Sequence, residues 1–319
     1  MNNQEHLFRT KVEVPKWENP MSVSDHVVFL GSCFAQYMGE RFQSFGLHSL
    51  CNPLGVLYNP ESIRLQVYAA LHLGEKPIPL FCFEDEWRCW LAGTQIGGNT
   101  EQACRNVVEG ALQMLQLSLQ SADYLFVTLG TNVCYQLKSN GLVVANCHKA
   151  PGRLFSEEWM PVAACIASLS ALLDDVFLQN PKLKIVFTIS PFRYAKYGYH
   201  GNQLAKSTLM LAVDEVCKLY PQKVRYFPAY EIMMDELRDY RFYTEDMLHP
   251  SGVAVDYIWQ CLVNAVMGPS MQAYLQEYAP IRNGLRHTPS HPDSEAYQRF
   301  MESLEEKARL LRKKFNINS

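Results

Sequence analysis

Three short segments of the chain contain the residue types that acyl-transfer chemistry requires. Residues 31–33 (Gly-Ser-Cys) supply a hydroxyl and a thiol, residues 130–132 (Gly-Thr-Asn) supply an amide, and residues 246–249 (Asp-Met-Leu-His) supply a carboxylate and an imidazole. A thiol or hydroxyl can attack a carbonyl carbon, an imidazole can move the proton, and an amide N–H can bind the oxyanion that forms. Each segment taken alone also fits an ordinary turn, so their placement relative to one another matters.

The first segment stands between a predicted strand and a predicted helix. Residues 26–30 form an apolar run that indicates a strand buried on both faces, and residues 34–45 have a helical pattern. Gly31 permits a tight turn, and the helix N-terminus offers unpaired N–H groups and a positive dipole end, which favour a thiolate at Cys33. An ordinary strand-to-helix turn, with Ser32 as the cap and Cys33 buried, has the same pattern.

The other two segments offer an oxyanion donor and a base. Asn132 follows a second buried strand, and its side-chain amide is a neutral hydrogen-bond donor. Asp246 precedes His249 by three residues, so that its carboxylate can bond the imidazole Nδ1 and leave Nε2 free as a general base. An Asx turn at Asn132 and unrelated capping bonds at Asp246 and His249 are the alternatives.

Strand-like runs alternate with helical patterns, which predicts an α/β fold with three α/β/α layers around a central parallel sheet. The predicted strands cover residues 26–30, 47–51, 124–129, 183–189 and 224–228. The predicted helices cover residues 34–45, 61–72, 101–119, 157–178, 204–219, 253–267 and 271–277, and a charged helix follows a break at 286–293. Ligands of such sheets bind at the carboxyl ends of the strands, where the first two segments stand.

Two insertions and a C-terminal extension complete the predicted architecture. The alternating aromatics of residues 80–98 predict a hairpin or flap, and residues 133–150 predict a second hairpin that turns at 139–141. We expect one domain over residues 1–267 and a helical extension over residues 268–319. The final helix has an apolar stripe that we expect to dock on the body or on a partner, formed by Phe300, Leu304, Ala308, Leu311 and Phe315.

Composition excludes several classes of function. A net charge of −3 and a pI near 6.3 give no field that would recruit nucleic acid or an anionic membrane. The first residues are polar, unlike a secretory signal, and we expect no membrane span. The ten cysteines show no Cys-x-x-Cys pair and no zinc spacing, and several stand in apolar runs. We expect a cytoplasmic protein with reduced cysteines, no metal and no cofactor, and the oligomeric state stays open.

The three segments occur in the order found in a known group of enzymes. The chain resembles the SGNH (GDSL-like) hydrolase superfamily and, within it, the GSCFA family, which is named for the residues that stand here at 31–35. The resemblance covers roughly residues 10–265. Further segments that are similar to that family lie at 52–60 (Asn-Pro-Leu-Gly-Val-Leu-Tyr-Asn-Pro), 146–149 (Asn-Cys-His-Lys), 190–193 (Ser-Pro-Phe-Arg), 227–230 (Phe-Pro-Ala-Tyr) and 249–250 (His-Pro).

The resemblance implies roles for the residues of the site. Because the apolar strand ends immediately before Gly31, the superfamily's nucleophilic serine corresponds to Cys33, and Ser32 is the second candidate. His249 would then be the base and Asp246 the residue that orients it. A thiolate is a stronger nucleophile than a hydroxyl, so thioester and acyl-transfer chemistry become as plausible as ester hydrolysis.

For the oxyanion hole, the resemblance implies three donors. These are the backbone N–H of Cys33, the backbone N–H of Gly55 and the side chain of Asn132. Asn52 lies close enough in sequence to compete with Gly55. Many members of the superfamily have an aspartate after the block asparagine, where this chain has Val133.

Three further groups have open roles. His148 is a possible substrate-binding residue, as is Asn52, and a polar hairpin end is the alternative for His148. Arg193 can hold an anionic group of a substrate or pair with an acid. The aromatics of residues 81–90 can line a cleft for the acyl acceptor or pack on the body.

We therefore expect an acyl-transfer enzyme, an esterase or an acyltransferase, that acts on an O-acylated carbohydrate or a similar small molecule. The alternative is a non-catalytic protein that binds a glycan or an acyl ligand in the same cleft. The missing Gly-Asp-Ser triplet and Val133 motivate this alternative.

Overall fold

The computed structural model describes residues 10–287 and 294–317, and it contains the predicted alternation of strands and helices. The strands are β1 (Val27–Gly31), β2 (Ser49–Cys51), β3 (Leu80–Phe83), β4 (Glu86–Cys89), β5 (Gly97–Gly98), β6 (Tyr124–Leu129), β7 (Val133–Leu137), β8 (Val143–Val144), β9 (Phe155–Trp159), β10 (Lys184–Ile189) and β11 (Val224–Phe227). The helices are α1 (Cys33–Ser44), α2 (Pro60–Leu71), α3 (Glu101–Ser121), α4 (Val162–Gln179), α5 (Gly198–Leu219), α6 (Ala229–Glu231), α7 (Gly252–Val266), α8 (Pro269–Leu285) and α9 (Glu295–Lys314).

The central sheet has five parallel strands in the order β11-β10-β6-β1-β2. Counted along the chain within this sheet, the order is 2-1-3-4-5, which is that of flavodoxin-like doubly wound folds. The order reverses between β1 and β6, because the chain leaves β1 toward one edge of the sheet and later returns to its other side. A crevice therefore opens at the carboxyl ends of β1 and β6.

Both faces of the sheet are buried, which explains why its strands are apolar runs. Val28 and Leu30 of β1 pack into a core beneath α2, α3, α4 and α5, and Val27 and Phe29 pack into a core beneath α1, α7, α8 and α9. Strands covered on both faces by helices need apolar residues at every position. The predicted three-layer α/β/α architecture is confirmed.

The two predicted insertions are small antiparallel sheets. β3 and β4 form a hairpin, and β5 pairs with β4. β7 pairs with β8 as predicted, but it also pairs on its other side with β9. The prediction of a helix from residue 157 was wrong, because β9 occupies 155–159 and α4 begins only after Pro161. Proline disfavours helical backbone at the residue before it, so the helix cannot extend backward.

The C-terminal helices pack on the body of the molecule. Leu304, Ala308 and Leu311 of the predicted stripe are buried, whereas Phe300 is 43% exposed. The ring of Phe315 contacts the ring of Tyr274 on α8, whose hydroxyl donates to the carbonyl of residue 45. The polar first residues, and most of the break predicted at 286–293, lie outside the described residues.

Within the described part of the chain, α4 is the one helix that is long and apolar enough to cross a membrane by length and composition alone. We had not expected such a segment. In the structure α4 packs between α2 and α5, and it places Leu169, Leu172 and Leu173 in the core beneath the sheet. One face of α4 is therefore packed within the molecule.

β1 ends on a glycine that approaches its neighbouring strand very closely. Gly31 has a φ of +123°, and a Cβ built on it would lie 2.1 Å from the carbonyl oxygen of Thr128 in β6. Residues with side chains rarely adopt this backbone conformation, and backbone atoms cannot yield to the added carbon. The turn into α1 therefore requires glycine.

We expect Gly31→Ala to lower the free energy of unfolding by roughly 3 kcal/mol or more, because it combines backbone strain with a clash against Thr128. The matched control is Gly110→Ala inside α3, where an added Cβ meets nothing within 4 Å. That control should stabilise the protein by roughly 0.5–1 kcal/mol. Urea unfolding followed by circular dichroism measures both changes, and equal effects would contradict the argument.

Candidate active site

Ser32 and Cys33 have different surroundings at the start of α1. Ser32 is 1% exposed, its N–H donates to the carbonyl of Thr128 at 3.0 Å, and its Oγ caps the helix by accepting from the N–H of Phe34 at 3.3 Å. Cys33 is the first residue of the helix and is half-buried. Its N–H lies in the first turn, whose donors lack an acceptor within the helix. The thiol is thus the more accessible of the two groups.

Tyr58 is a part of the site that sequence reasoning missed. Its hydroxyl lies 3.6 Å from Cys33 Sγ, and its carbonyl accepts hydrogen bonds from the N–H groups of Gly130 and Thr131 at 2.7 and 3.0 Å. Burial raises the pKa of Tyr58, and the neighbouring Cys33 raises it further. Tyr58 joins the first two segments, and its place in the motif at 52–60 was the one signal by which it could have been found.

The structure gives Asn52 and Gly55 a different task from the one we predicted. Asn52 Oδ1 accepts from the N–H of Gly31 at 2.9 Å, and its Nδ2 donates to Gln36 Oε1 at 3.3 Å. The N–H of Gly55 donates to the carbonyl of Asn52 at 2.8 Å. Both ends of the Asn52 amide and the N–H of Gly55 therefore hold the turn beside Gly31. This arrangement does not favour Asn52 as a substrate contact or Gly55 as an oxyanion donor.

Asn132 is held in a fixed orientation after β6. It is 3% exposed, and its Nδ2 donates to the carbonyl of Met160 at 2.8 Å, while the N–H of Met160 donates back to the carbonyl of Asn132 at 3.0 Å. An amide nitrogen has two hydrogens, so one N–H remains for a ligand. The Oδ1 atom is buried without a partner. Val133, which follows, is buried in β7.

The loop before α7 joins Asp246 to His249. Asp246 Oδ2 lies 2.5 Å from His249 Nδ1, and its Oδ1 accepts from the hydroxyl of Thr244 and from the backbone N–H groups of Leu248 and His249. These hydrogen bonds, with the backbone N–H of His249 first, hold the pKa of Asp246 well below its usual range. The carboxylate stays charged, so it fixes the imidazole tautomer and leaves Nε2 for proton transfer.

Two features bring this loop next to α1. Tyr37 stands one turn after Cys33, and burial raises its pKa with smaller contributions from the charges of Cys33 and Asp246. Tyr37 also lines a cavity of about 440 Å³ together with Thr244 and Pro250, which flank the dyad. One phenol is thus close to both the thiol and the dyad, and the three segments meet at the carboxyl edge of the sheet.

Arg193 supports the base loop through its backbone. Its N–H donates to the carbonyl of Leu248 at 3.0 Å, and its guanidinium lies over the rings of Tyr199 and Tyr243, at 4.3 and 5.6 Å from their centroids. The neighbouring ring of Phe192 contacts the ring of His249 at 4.3 Å. Neither Phe192 nor this backbone contact was predicted.

His148 lies in the small sheets and not beside the thiol. It is 3% exposed, its Nε2 is 3.0 Å from the carbonyl of Cys89, and its ring meets the rings of Phe81 and Trp90 edge-on. Burial lowers its pKa to about 4. Phe81 and Trp90 stack on each other and enclose this histidine with their edge contacts, so the alternative in which these aromatics pack on the body is the one observed.

The described residues contain no group of three or more histidine, cysteine, aspartate or glutamate side chains that could hold a metal ion. All ten cysteines are free thiols. The chemistry that the site offers is that of a thiol, an imidazole and a carboxylate beside two groups of N–H donors, one at the start of α1 and one on Asn132.

Comparison with known proteins gives a family and several structural neighbours. The GSCFA family model matches residues 26–262, and the model of the C-terminal domain of GSCFA domain proteins matches residues 279–319. No curated protein matches at a significant level. Among solved structures, an acetyl xylan esterase from the rumen bacterium Butyrivibrio proteoclasticus is similar at a TM-score of 0.38 and 11% identity; the match covers 78% of this chain and 65% of that enzyme, about two thirds of its length.

We expect His148 to make the fold sensitive to acid. Between pH 6.5 and about 4 the unfolded chain binds a proton at His148 that the folded chain does not bind. The free energy of unfolding therefore has its full value above pH 6.5 and falls as the pH drops toward 4. His148→Gln keeps an N–H for Cys89 and cannot titrate. In urea unfolding, wild type should lose about 1–2 kcal/mol more than this variant between pH 7 and pH 5. His200→Gln, at an exposed position on α5, should behave as wild type; equal losses in all three proteins would refute the argument.

Proposed function

The chain belongs to the GSCFA family, and we propose that it is an acyl-transfer enzyme of the SGNH hydrolase type with Cys33 as its nucleophile. One observation carries the proposal. Of the two candidate nucleophiles, Ser32 is buried and its hydroxyl caps α1 by accepting a hydrogen bond, whereas Cys33 is half-buried at the helix N-terminus. The Asp246–His249 dyad, in which Asp246 is charged, lies on the loop beside the start of α1.

The proposed reaction begins with proton transfer. His249 Nε2 takes the proton of the Cys33 thiol, and the sulfur attacks the carbonyl carbon of the ester, whose π electrons move onto oxygen. The N–H of Cys33 and the free N–H of Asn132 donate to this oxyanion. The C–O bond then breaks, the leaving alkoxide takes the proton from His249, and a thioester remains on Cys33.

The second half of the reaction releases the acyl group. Water, or the hydroxyl of an acceptor, loses its proton to His249 and attacks the thioester carbonyl. The new tetrahedral intermediate collapses, the C–S bond breaks, and the sulfur recovers a proton from His249. Asp246 stays ionised throughout, because four hydrogen bonds to its two oxygens stabilise the carboxylate. Hydrolysis and transfer differ only in the acceptor of this step.

The surroundings of the base support a carbohydrate ester as the substrate. A strip of rings runs from His249 through Phe192, Tyr194 and Tyr197 to Trp159, with successive centroids 4.3, 6.2, 5.6 and 4.9 Å apart. Trp159 is 41% exposed. The C–H faces of a sugar pack on such rings, and its hydroxyls need polar groups at their edges.

Polar groups of that kind flank the strip. Glu157 accepts hydrogen bonds from Lys196 and Tyr135, each at 2.7 Å, and the hydroxyls of Tyr135 and Tyr197 lie 3.0 Å apart. Donors and acceptors thus alternate beside the rings, as recognition of a hydroxylated ring requires. We propose an O-acylated carbohydrate as the substrate.

A ligand-binding protein without turnover is the second candidate. The N–H of Gly55, which an oxyanion hole of the SGNH type would use, donates instead to Asn52. With one donor fewer, a tetrahedral intermediate would be less stabilised. The same strip of rings would then serve binding alone.

Turnover of p-nitrophenyl acetate tests the roles of the two candidate nucleophiles. Cys33→Ala and His249→Ala should each lower kcat/KM by roughly a thousandfold while the fold is retained. Ser32→Ala should keep turnover within a few-fold and lower stability by about 1 kcal/mol, since it removes a helix cap. Activity that survives in Cys33→Ala and disappears in Ser32→Ala would transfer the nucleophile to Ser32.

Alkylation by iodoacetamide separates the enzyme from the binding protein. We expect Cys33 to be alkylated faster than Cys82, an exposed cysteine of β3 that serves as the internal control. His249→Ala should slow alkylation of Cys33 and leave Cys82 unchanged, because only Cys33 depends on the imidazole. Peptide mass spectrometry gives both rates. Alkylation of Cys33 no faster than that of Cys82, together with no turnover, would favour the binding protein.

A further inference from the structure

Lys206 of α5 is a buried lysine whose amine binds backbone carbonyls. It is 1% exposed, and its Nζ donates to the carbonyl oxygens of Gly130 and Ser190, each at 2.8 Å. No ion pair within residues 10–287 and 294–317 involves it. Burying a lysine amine without a carboxylate partner is unfavourable. This cost indicates that Lys206 has a role through the two carbonyls that it binds.

The two carbonyls stand where the ladder between β6 and β10 ends. Leu129 and Ile189 are the last paired residues, and the N–H of Ser190 makes the last backbone bond of this ladder, to the carbonyl of Leu129 at 2.8 Å. Beyond that point the segments that follow β6 and β10 separate. The carbonyls of Gly130 and Ser190 meet no backbone donor of the other segment. Lys206 bonds both carbonyls, so it takes the place of the next rung.

Each of these two segments leads directly to one half of the candidate site. From Gly130 the chain reaches Asn132 in two residues, and the N–H of Gly130 is itself fixed by the carbonyl of Tyr58. The Gly130 peptide is thus held from both sides.

From Ser190 the chain reaches the loop that supports the base. Ser190 Oγ accepts from the N–H of Phe192 at 3.4 Å, the ring of Phe192 contacts that of His249, and the N–H of Arg193 donates to the carbonyl of Leu248. The position of Ser190 therefore sets the position of two supports of the base.

We propose that Lys206 is a positioning residue that fixes the distance between the oxyanion donor Asn132 and the base His249 by bridging the diverging ends of β6 and β10. This inference rests on the proposed function and extends it to a residue that touches neither the substrate nor the nucleophile. A small change in that distance costs little stability but lowers the rate, because catalytic groups must be held closely in register.

A lysine suits this task in either protonation state. Burial lowers its pKa to about 7. The ammonium has three N–H groups and the neutral amine has two, so both carbonyls keep a donor in each state. The ring of Tyr230 lies 5.6 Å from Nζ. An apolar side chain of similar length would fill the space and leave the two carbonyls unpaired.

Lys206→Met is the decisive variant, and Lys184→Met is its control, since Lys184 stands at the opposite end of β10, where its Nζ donates to the hydroxyl of Tyr124. With p-nitrophenyl acetate, Lys206→Met should lower kcat at least tenfold with less than a threefold change in KM. Alkylation of Cys33 by iodoacetamide should fall by a smaller factor than kcat, because alkylation depends on the base but needs no oxyanion hole. Lys184→Met should leave kcat unchanged. A lower melting temperature with an unchanged kcat would overturn the proposal.

Hydrogen exchange tests the bridge without reference to activity. Lys206→Met should accelerate amide exchange in peptides that cover residues 130–133 and 190–193, and Lys184→Met should not. If wild type turns over no ester while this acceleration is present, the proposed function fails and the bridge stands. Unchanged exchange in both peptides refutes the bridge. If Lys206→Met does not fold, Lys206→Gln is measured in the same way, because its amide can still donate to one carbonyl.

Discussion

The close approach of β1 to β6 at Gly31 is the constraint on which the site depends. The carbonyl of Thr128 lies where a side chain of residue 31 would be, and it accepts the N–H of Ser32. Asn52 closes the turn from the other side by accepting the N–H of Gly31. Because the strand order reverses between β1 and β6, this contact places the start of α1 beside the loop of Asn132. The remaining parts of the site are arranged around that fixed corner.

The sequence was sufficient for features that depend on local pattern. The strands of the central sheet are apolar runs because helices cover both faces, and such runs can be read without knowledge of their partners. The spacing of Asp246 and His249 allowed their pairing, and the resemblance to the SGNH superfamily favoured it over unrelated capping bonds. The start of α4 was misread because Glu157 and Glu158, which lie in β9, are residue types typical of the first turn of a helix, although Pro161 marks the boundary.

Features that depend on contacts between distant segments could not be predicted. The roles of Asn52 and Gly55 are set by the partners that the Asn52 side-chain amide and the Gly55 N–H meet in the fold, and the burial of His148 is set by the packing of two small sheets. The carbonyl of Tyr58 accepts from backbone N–H groups of another segment, and Lys206 donates to backbone carbonyls of two others; such backbone partners carry no signature in the sequence. Residue type can suggest chemistry, but the supply of hydrogen-bond partners is a property of the fold.

Placement also distinguishes Cys33, the proposed nucleophile, from other thiols among the ten of the chain. Burial raises the pKa of Cys51, Cys89 and Cys165 to about 12, so these thiols stay protonated and serve as small packing groups. Cys33 differs from them by standing at the first position of a helix, half-buried, beside a phenol.

The strand order has a consequence for synthesis and folding. β1 lies between β2, which follows it directly, and β6, which comes about a hundred residues later, and β10 and β11 then add outward in turn. The thiol therefore leaves the ribosome before the imidazole, which follows the last strand of the sheet. A nascent chain carries Cys33 directly after a strand with one open edge, and His249 joins it only when all five strands of the sheet have been made. The order of the strands thus separates the synthesis of the proposed nucleophile from that of its proposed base.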